Sequence, residues 1–132
     1  MLNFIFNAKS IAVIGASDKP GKIGFEIFRN IVEGGFQGKI YPINPKITEL
    51  MGYACYHSIK DVPGTVDVVV ITIPAPIIPE VLEQCGEKGV KGVIIISAGF
   101  SEVGNFELEN KIVNIARKYG MRIVGPNCAG IV

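Results

Sequence analysis

This sequence has almost no charge of one sign to spare. Thirteen basic residues stand against twelve acidic ones, a formal net charge of +1, so no strong field draws the chain to DNA or to an anionic membrane surface. It has no basic cluster with interleaved aromatics, which argues against a nucleic-acid partner. Histidine is nearly missing: His57 is the single one. Cysteine is scarce and unpaired in pattern, with Cys55, Cys85 and Cys128 odd in number, far apart and outside any CxxC motif. That usage fits reduced thiols in the cytoplasm better than a disulfide framework, and no His/Cys/Asp cluster has the spacing of a metal site. Long apolar runs are lacking too. The longest, around Val68–Ile71 and Val93–Ile96, are strand-sized and far short of a membrane span. The opening MLNFIFNAKS is too short and too polar for a signal peptide or anchor. Internal repeats, low-complexity tracts and linkers are absent. The expectation is a soluble, cytoplasmic protein that binds neither nucleic acid nor membrane, its 132 residues forming one domain with a single buried core.

What is present concentrates in Ile11–Gly24, IAVIGASDKPGKIG. A β-branched apolar strand runs into a glycine and serine loop with two lysines, Lys19 and Lys22, and then into an isoleucine-rich helix. A strand feeding a glycine-rich loop that opens a helix presents backbone N–H groups to a phosphate.

The rest of the chain repeats strand and helix. Residues 1–9 read as a short helical lead-in with Phe4 and Phe6 available to pack. Ile11–Ile14 is a buried strand, and Ile23, Ile27, Phe28, Ile31 and Val32 form one helical stripe, stopped at Gly34 and Gly35. Lys39–Ile43 is the second strand. An irregular segment follows, with Leu50, Met51 and Tyr53 expected to pack and a brief strand or turn near Cys55. Val66–Ile73 reads as a central strand buried on both faces. Pro74-Ala75-Pro76 opens a helix to about Lys88, with Pro76 and Pro79 near its first turn, where a missing N–H is harmless. Gly92–Ser97 is the next strand. A helix over about Asn105–Tyr119 has Asn105 as its N-cap, acids early, Arg117 and Lys118 late and Gly120 after it. Arg122–Val124 is the last strand. This alternation predicts an α/β, Rossmann-like doubly wound, mostly parallel sheet with helices on both faces. Ligands of such sheets lie outside the carboxyl ends of the strands. Residues 15–24, 44–46, 73–76, 97–101 and 125–128 should therefore converge on one site.

The default ligand of a first βαβ unit is a dinucleotide, and two features depart from it. The G-x-G-x-x-G fingerprint would need glycines where Ser17 and Pro20 stand; Gly15, Gly21 and Gly24 are set in a longer loop. An NAD site also wants an acid at the end of the second strand to hold the ribose. That place is Asn44-Pro45-Lys46. A lysine there suits a phosphorylated ribose, as in NADP or coenzyme A, or is simply a solvated surface cation.

The segments IAVIGAS, KPGKIG, YPINPK, ITIPA, VIIISAGFSE and GPNCAGI, in this order and spacing, resemble the CoA-binding domain of the NDP-forming acyl-CoA synthetases. The likeness runs from about Asn7 onward. It is closer to the ADP-forming acetyl-CoA type than to the succinyl-CoA synthetase alpha subunit, whose first loop is shorter and differently composed. The resemblance implies that Ser17, Asp18, Lys22, Ile23 and Gly24, with Gly15 of the same loop, surround the phosphates of CoA. It implies that Ile43, Pro45 and Lys46 lie against the adenosine end, Lys46 as a partner for a phosphate. Ile73, Pro74 and Ala75 would line the pantetheine path, and Ser97, Ala98, Gly99 and Phe100 its far end. It further implies a chain that binds CoA or acyl-CoA without catalysing, as the N-terminal piece of a synthetase assembly. Such a synthetase interconverts acyl-CoA, ADP and phosphate with acid, CoA and ATP through a phosphohistidine outside this chain, and its ATP-grasp domain also lies elsewhere. His57 reads as an ordinary loop histidine, and Cys128 as a small buried thiol with no histidine to activate it. Glu102 and Asp18 have no carboxylate partner spaced for acid–base work, and Asp67 reads as a polar residue at the start of a strand. The alternatives are a free-standing CoA-binding regulatory or carrier protein and an NAD(P)-binding domain of an oxidoreductase.

Overall fold

The computed structural model describes residues 7–96 and 106–125. The lead-in over residues 1–6, the Ser97–Phe100 loop, Glu102, the Asn105 cap and Cys128 lie outside the described residues.

Five strands form one parallel sheet: β1 (Ser10–Ile14), β2 (Lys39–Ile43), β5 (Val68–Ile71), β6 (Gly92–Ile95) and β7 (Arg122–Val124), in the order β2-β1-β5-β6-β7. Three α-helices connect them, α1 (Ile23–Glu33), α2 (Ile78–Lys88) and α3 (Phe106–Tyr119). A small antiparallel hairpin, β3 (Glu49–Leu50) with β4 (Tyr53–Ala54), follows β2.

Strand alternation sorts the apolar side chains onto two faces. Ile11, Val13, Val68 and Val70 meet Phe28 of α1. Ala12, Ile14, Val69 and Ile71 meet Ile78 and Leu82 of α2 and Ile112 and Ala116 of α3. A strand buried on both sides cannot alternate apolar with polar, which is why β1 and β5 read as unbroken hydrophobic runs. The helices thus cover both faces, as the strand–helix alternation implied, with α1 the one described helix on its side.

Several details differ from expectation. β5 is shorter than Val66–Ile73 and β6 shorter than Gly92–Ser97. The chain leaves β5 at Thr72, whose N–H and hydroxyl both donate to the Ile14 carbonyl, at 2.9 and 3.1 Å. A 3-10 turn at Ala75–Ile77 precedes α2, so Pro76 falls in that turn and Pro79 in the first turn of the helix. The expected packing of Met51 does not occur. Met51 and Gly52 form the two-residue turn between β3 and β4, with φ of +51° and +83°. A tight hairpin needs positive φ at both central positions, and this turns the Met51 side chain out to solvent. Ile23 also leaves the buried stripe and is 48% exposed. It is the first helical residue and lies at the carboxyl edge of the sheet, beyond the strands that would cover it.

Candidate functional site

The chain order places a topological switch point between β1 and β5: after β1 the chain moves out to β2, then returns to the other side of β1. Ligand sites of open parallel sheets form at such a point. There the structure has a cavity of about 310 Å³, lined by the ends of β1, β2 and β5, the segment after β4, and α2. Gly15, Ile43, Pro45 and Ile73 of the expected site line it together.

The glycine loop beside it is shaped by backbone requirements. Gly15 leaves β1 at φ +97°, and its N–H donates to the Ile43 carbonyl at 3.1 Å. Gly24, in the first turn of α1, packs so closely on the loop that a Cβ would stand 1.9 Å from the Gly15 carbonyl oxygen. No side chain other than hydrogen fits. Ser17 Oγ accepts the Lys19 N–H at 3.1 Å, the Lys22 N–H donates to the Lys19 carbonyl at 3.1 Å, and Gly21 turns at φ +94°. Lys22 occupies the N-cap of α1 in extended geometry, and no side chain caps the helix. Such an uncapped N-terminus directs free N–H groups and the positive end of the helix dipole outward. Glu26, in the first turn of α1, accepts the Gly21 N–H at 3.4 Å and is neutralised by an ion pair with Arg29, while Asp18 stands within the loop itself. Lys19, Lys22 and Lys46 make no ion pair among the described residues. Asp18 and Lys46 are exposed, as is Pro74, whereas Ala75 is buried.

One organising residue was passed over in the sequence reading. Asn44 holds the loop after β2 to the glycine loop: its Nδ2 donates to the Ala16 carbonyl at 2.7 Å, and its Oδ1 accepts the Lys46 N–H at 2.7 Å. Its backbone N–H donates to the Tyr56 carbonyl at 2.9 Å. The Asn-Pro-Lys sequence carried a usable signal, because an asparagine side chain readily bonds the backbone two residues on. Asn44 therefore sets where Pro45 and Lys46 stand.

The segment after β4 brings His57 and Ser58 to the cavity. His57 is an exposed loop residue, as expected, but its place on the cavity follows only from the hairpin, which returns the chain beside β2 through a bridge between Ile43 and Tyr56. The two described thiols, Cys55 and Cys85, are buried. Burial pushes Cys85 up to about 12. Burial also raises Cys55, opposed by its bond to Asn44 and reinforced by the negative charge of Asp18. Among the described residues no group of three or more His, Cys, Asp or Glu is placed to hold a metal ion. None of their helices is long and apolar enough to cross a membrane.

Fold and loop together give a Rossmann-like domain with an uncapped helix, a glycine turn and, among the described residues, lysines without ion partners at its switch point. Comparison with known proteins gives the family. Residues 9–132 match the CoA-binding domain model, and the chain belongs to that family. It is 56% identical over 131 residues to the ADP-forming acetate–CoA ligase of Methanocaldococcus jannaschii, covering 99% of this chain and 18% of that protein. It is 50% identical to the alpha subunit of ADP-forming acetate–CoA ligase II of Pyrococcus furiosus, covering all of this chain and 29% of the subunit. Among solved structures, the apo form of the dinucleotide forming acetyl-coenzyme A synthetase 1 of Ca. Korarchaeum cryptofilum superposes with a TM-score of 0.90 at 51% identity, over 96% of this chain and 28% of that one. The chain thus spans less than a third of the length of these relatives. The oxidoreductase alternative falls away with this assignment, and coenzyme A is the ligand of the domain.

Proposed function

We propose that this chain is the CoA-binding module of an ADP-forming acyl-CoA synthetase of the acetate-using type. In that role it holds CoA or acyl-CoA for domains or a subunit that carry the phosphohistidine and bind ADP. The observation that carries this reading is the charge pattern at the switch point. The end of β2 offers Lys46 where a dinucleotide site would place an acid, and the loop ahead of α1 offers Lys19 and Lys22 without ion-pair partners among the described residues.

The residues fit coenzyme A part by part. Gly15, Ser17, Lys22, Ile23 and Gly24 bring backbone N–H groups and one ammonium to the diphosphate, with Gly24 giving the backbone the close approach it needs. Asp18, exposed in the same loop, borders the phosphates. Ile43 and Pro45 take the adenosine, Lys46 the ribose phosphate, and Ile73, Pro74 and Ala75 the start of the pantetheine arm. By family resemblance alone, Ser97, Ala98, Gly99 and Phe100 are assigned to the thiol end of the coenzyme. When bound, CoA supplies the thiol that accepts the acyl group, while this chain's residues bind and orient it. None of them is assigned a proton transfer. Among the described residues His57 has no hydrogen-bonded acid or base, and burial raises the thiols of Cys55 and Cys85.

Titration calorimetry with CoA, dephospho-CoA, NAD and NADP tests the proposal. CoA is expected to bind tightest, with dephospho-CoA weaker and NAD weakest. Binding of NAD equal to or tighter than CoA overturns it.

A further inference from the structure

The cavity at the switch point has an apolar floor and one polar side, and the polar side is largely spoken for. Asn44 is committed at both ends of its amide to Ala16 and Lys46. Ser58 Oγ accepts the Lys60 N–H at 3.2 Å and donates its own proton to Gln84 Oε1 at 3.4 Å. With its oxygen taken by Ser58, the Gln84 amide has its Nε2 end left to offer. Gln84 lines the cavity three residues after Val81 on α2, so helical spacing sets the two side by side. His57 lines the same side with no hydrogen-bond partner among the described residues. A half-buried amide donor beside a floor of Ile14, Ile43 and Ile59 suits a flat heteroaromatic ring with an acceptor nitrogen on its edge. It suits a phosphate poorly, since no lysine lines the cavity.

We propose that Gln84, oriented by Ser58, is the residue that determines specificity for the base of the bound coenzyme, donating from Nε2 to N1 of the adenine. The proposal rests on the CoA reading above. Adenine presents an acceptor at N1. Hypoxanthine, with oxygen in place of the 6-amino group, carries a proton there and sets two donors face to face. A buried donor left without an acceptor is costly, so the deaminated coenzyme should bind more weakly by roughly ten- to a hundredfold.

The test is titration calorimetry of the 132-residue chain with CoA and its hypoxanthine analogue. Wild type is expected to favour CoA by that ratio. Gln84→Met should remove most of the ratio while keeping the preference for CoA over dephospho-CoA, which depends on the ribose phosphate. Ser58→Ala frees the amide to turn over and should narrow the same ratio. Equal binding of the two coenzymes by wild type overturns the proposal, as does a Gln84→Met chain that keeps full discrimination. A wild-type chain that binds neither coenzyme overturns the CoA reading itself, an outcome distinct from tight but undiscriminating binding.

Discussion

The two ends of the parallel sheet tie their polar groups in different ways. At the amino end they are paired with each other. The Lys9 N–H donates to Asp67 Oδ2 at 2.7 Å, Ser10 Oγ donates to the Thr65 carbonyl at 2.9 Å, and the Asp67 N–H donates to Ser10 Oγ at 3.0 Å. The Asp67 carbonyl in turn accepts the N–H groups of Lys91 and Gly92. At the carboxyl end the backbone is just as tightly tied, through Asn44, Gly15 and Thr72, yet Lys19, Lys22 and Lys46 stand without ion partners among the described residues and the N-terminus of α1 is uncapped. Satisfied polar groups mark where the fold is fastened. In the function proposed above, the uncapped N-terminus of α1 marks where a ligand completes the structure.

Substitutions that separate binding from stability test this contrast. The largest effect is expected from Gly24→Val, because the new side chain collides with the Gly15 carbonyl and pushes α1 off the loop. CoA affinity should fall by at least about a hundredfold in calorimetry, with a lower melting temperature. A variant that binds normally removes the close approach from the site. Next is Lys46→Ala, which should weaken CoA by about 1.5–3 kcal/mol, up to roughly a hundredfold, and leave dephospho-CoA and the melting temperature nearly unchanged. Equal loss for both ligands takes Lys46 away from the ribose phosphate. Asp67→Ala reverses the pattern: denaturant unfolding should show about 1–2 kcal/mol less stability, with CoA affinity intact. A loss of affinity there would break the distinction between the two ends.

The smallest effect belongs to the seam between α2 and α3. The Tyr119 hydroxyl donates to Glu83 Oε1 at 2.7 Å, and this bond, helped by the Lys118 ammonium, holds the Glu83 carboxyl below its usual range. A depressed carboxylate contributes stability above its unfolded pKa and loses it as pH falls through the folded value. Glu83→Gln should therefore be slightly less stable than wild type at neutral pH, and denaturant unfolding curves of the two should converge in acid. A gap that persists in acid rules out the ionic part of the contact.

Local patterns carried much of the fold. β1, β2 and α1 follow from a β-branched run, the apolar stretch Ile40–Ile43, and a helical stripe that ends in a glycine pair. They are legible because side-chain spacing alone decides which face is buried. Met51 misled because apolar character was read as burial, whereas the positive φ of a two-residue turn depends on how the hairpin closes. Ile23 misled for a related reason: helical periodicity shows which face points inward but not where the sheet beneath it ends. In the site, Gly15, Ile43, Pro45 and Ile73 were legible from strand ends. The links from Asn44 to Ala16 and from Ser58 to Gln84 were not, since they join residues 28 and 26 positions apart.

The sequence by itself determined a parallel α/β sheet, a glycine loop with two lysines ahead of α1, and a cation where a dinucleotide site would need an acid. Each of these depends on residue type and short-range spacing. Only the tertiary structure decided that His57, Ser58 and Gln84 share a cavity with the end of β1, and that Asn44 joins the two loops beside it. Those relations depend on how β2, the β3–β4 hairpin and α2 pack around β1. Long-range packing follows from the burial of the whole core, and no local pattern records it.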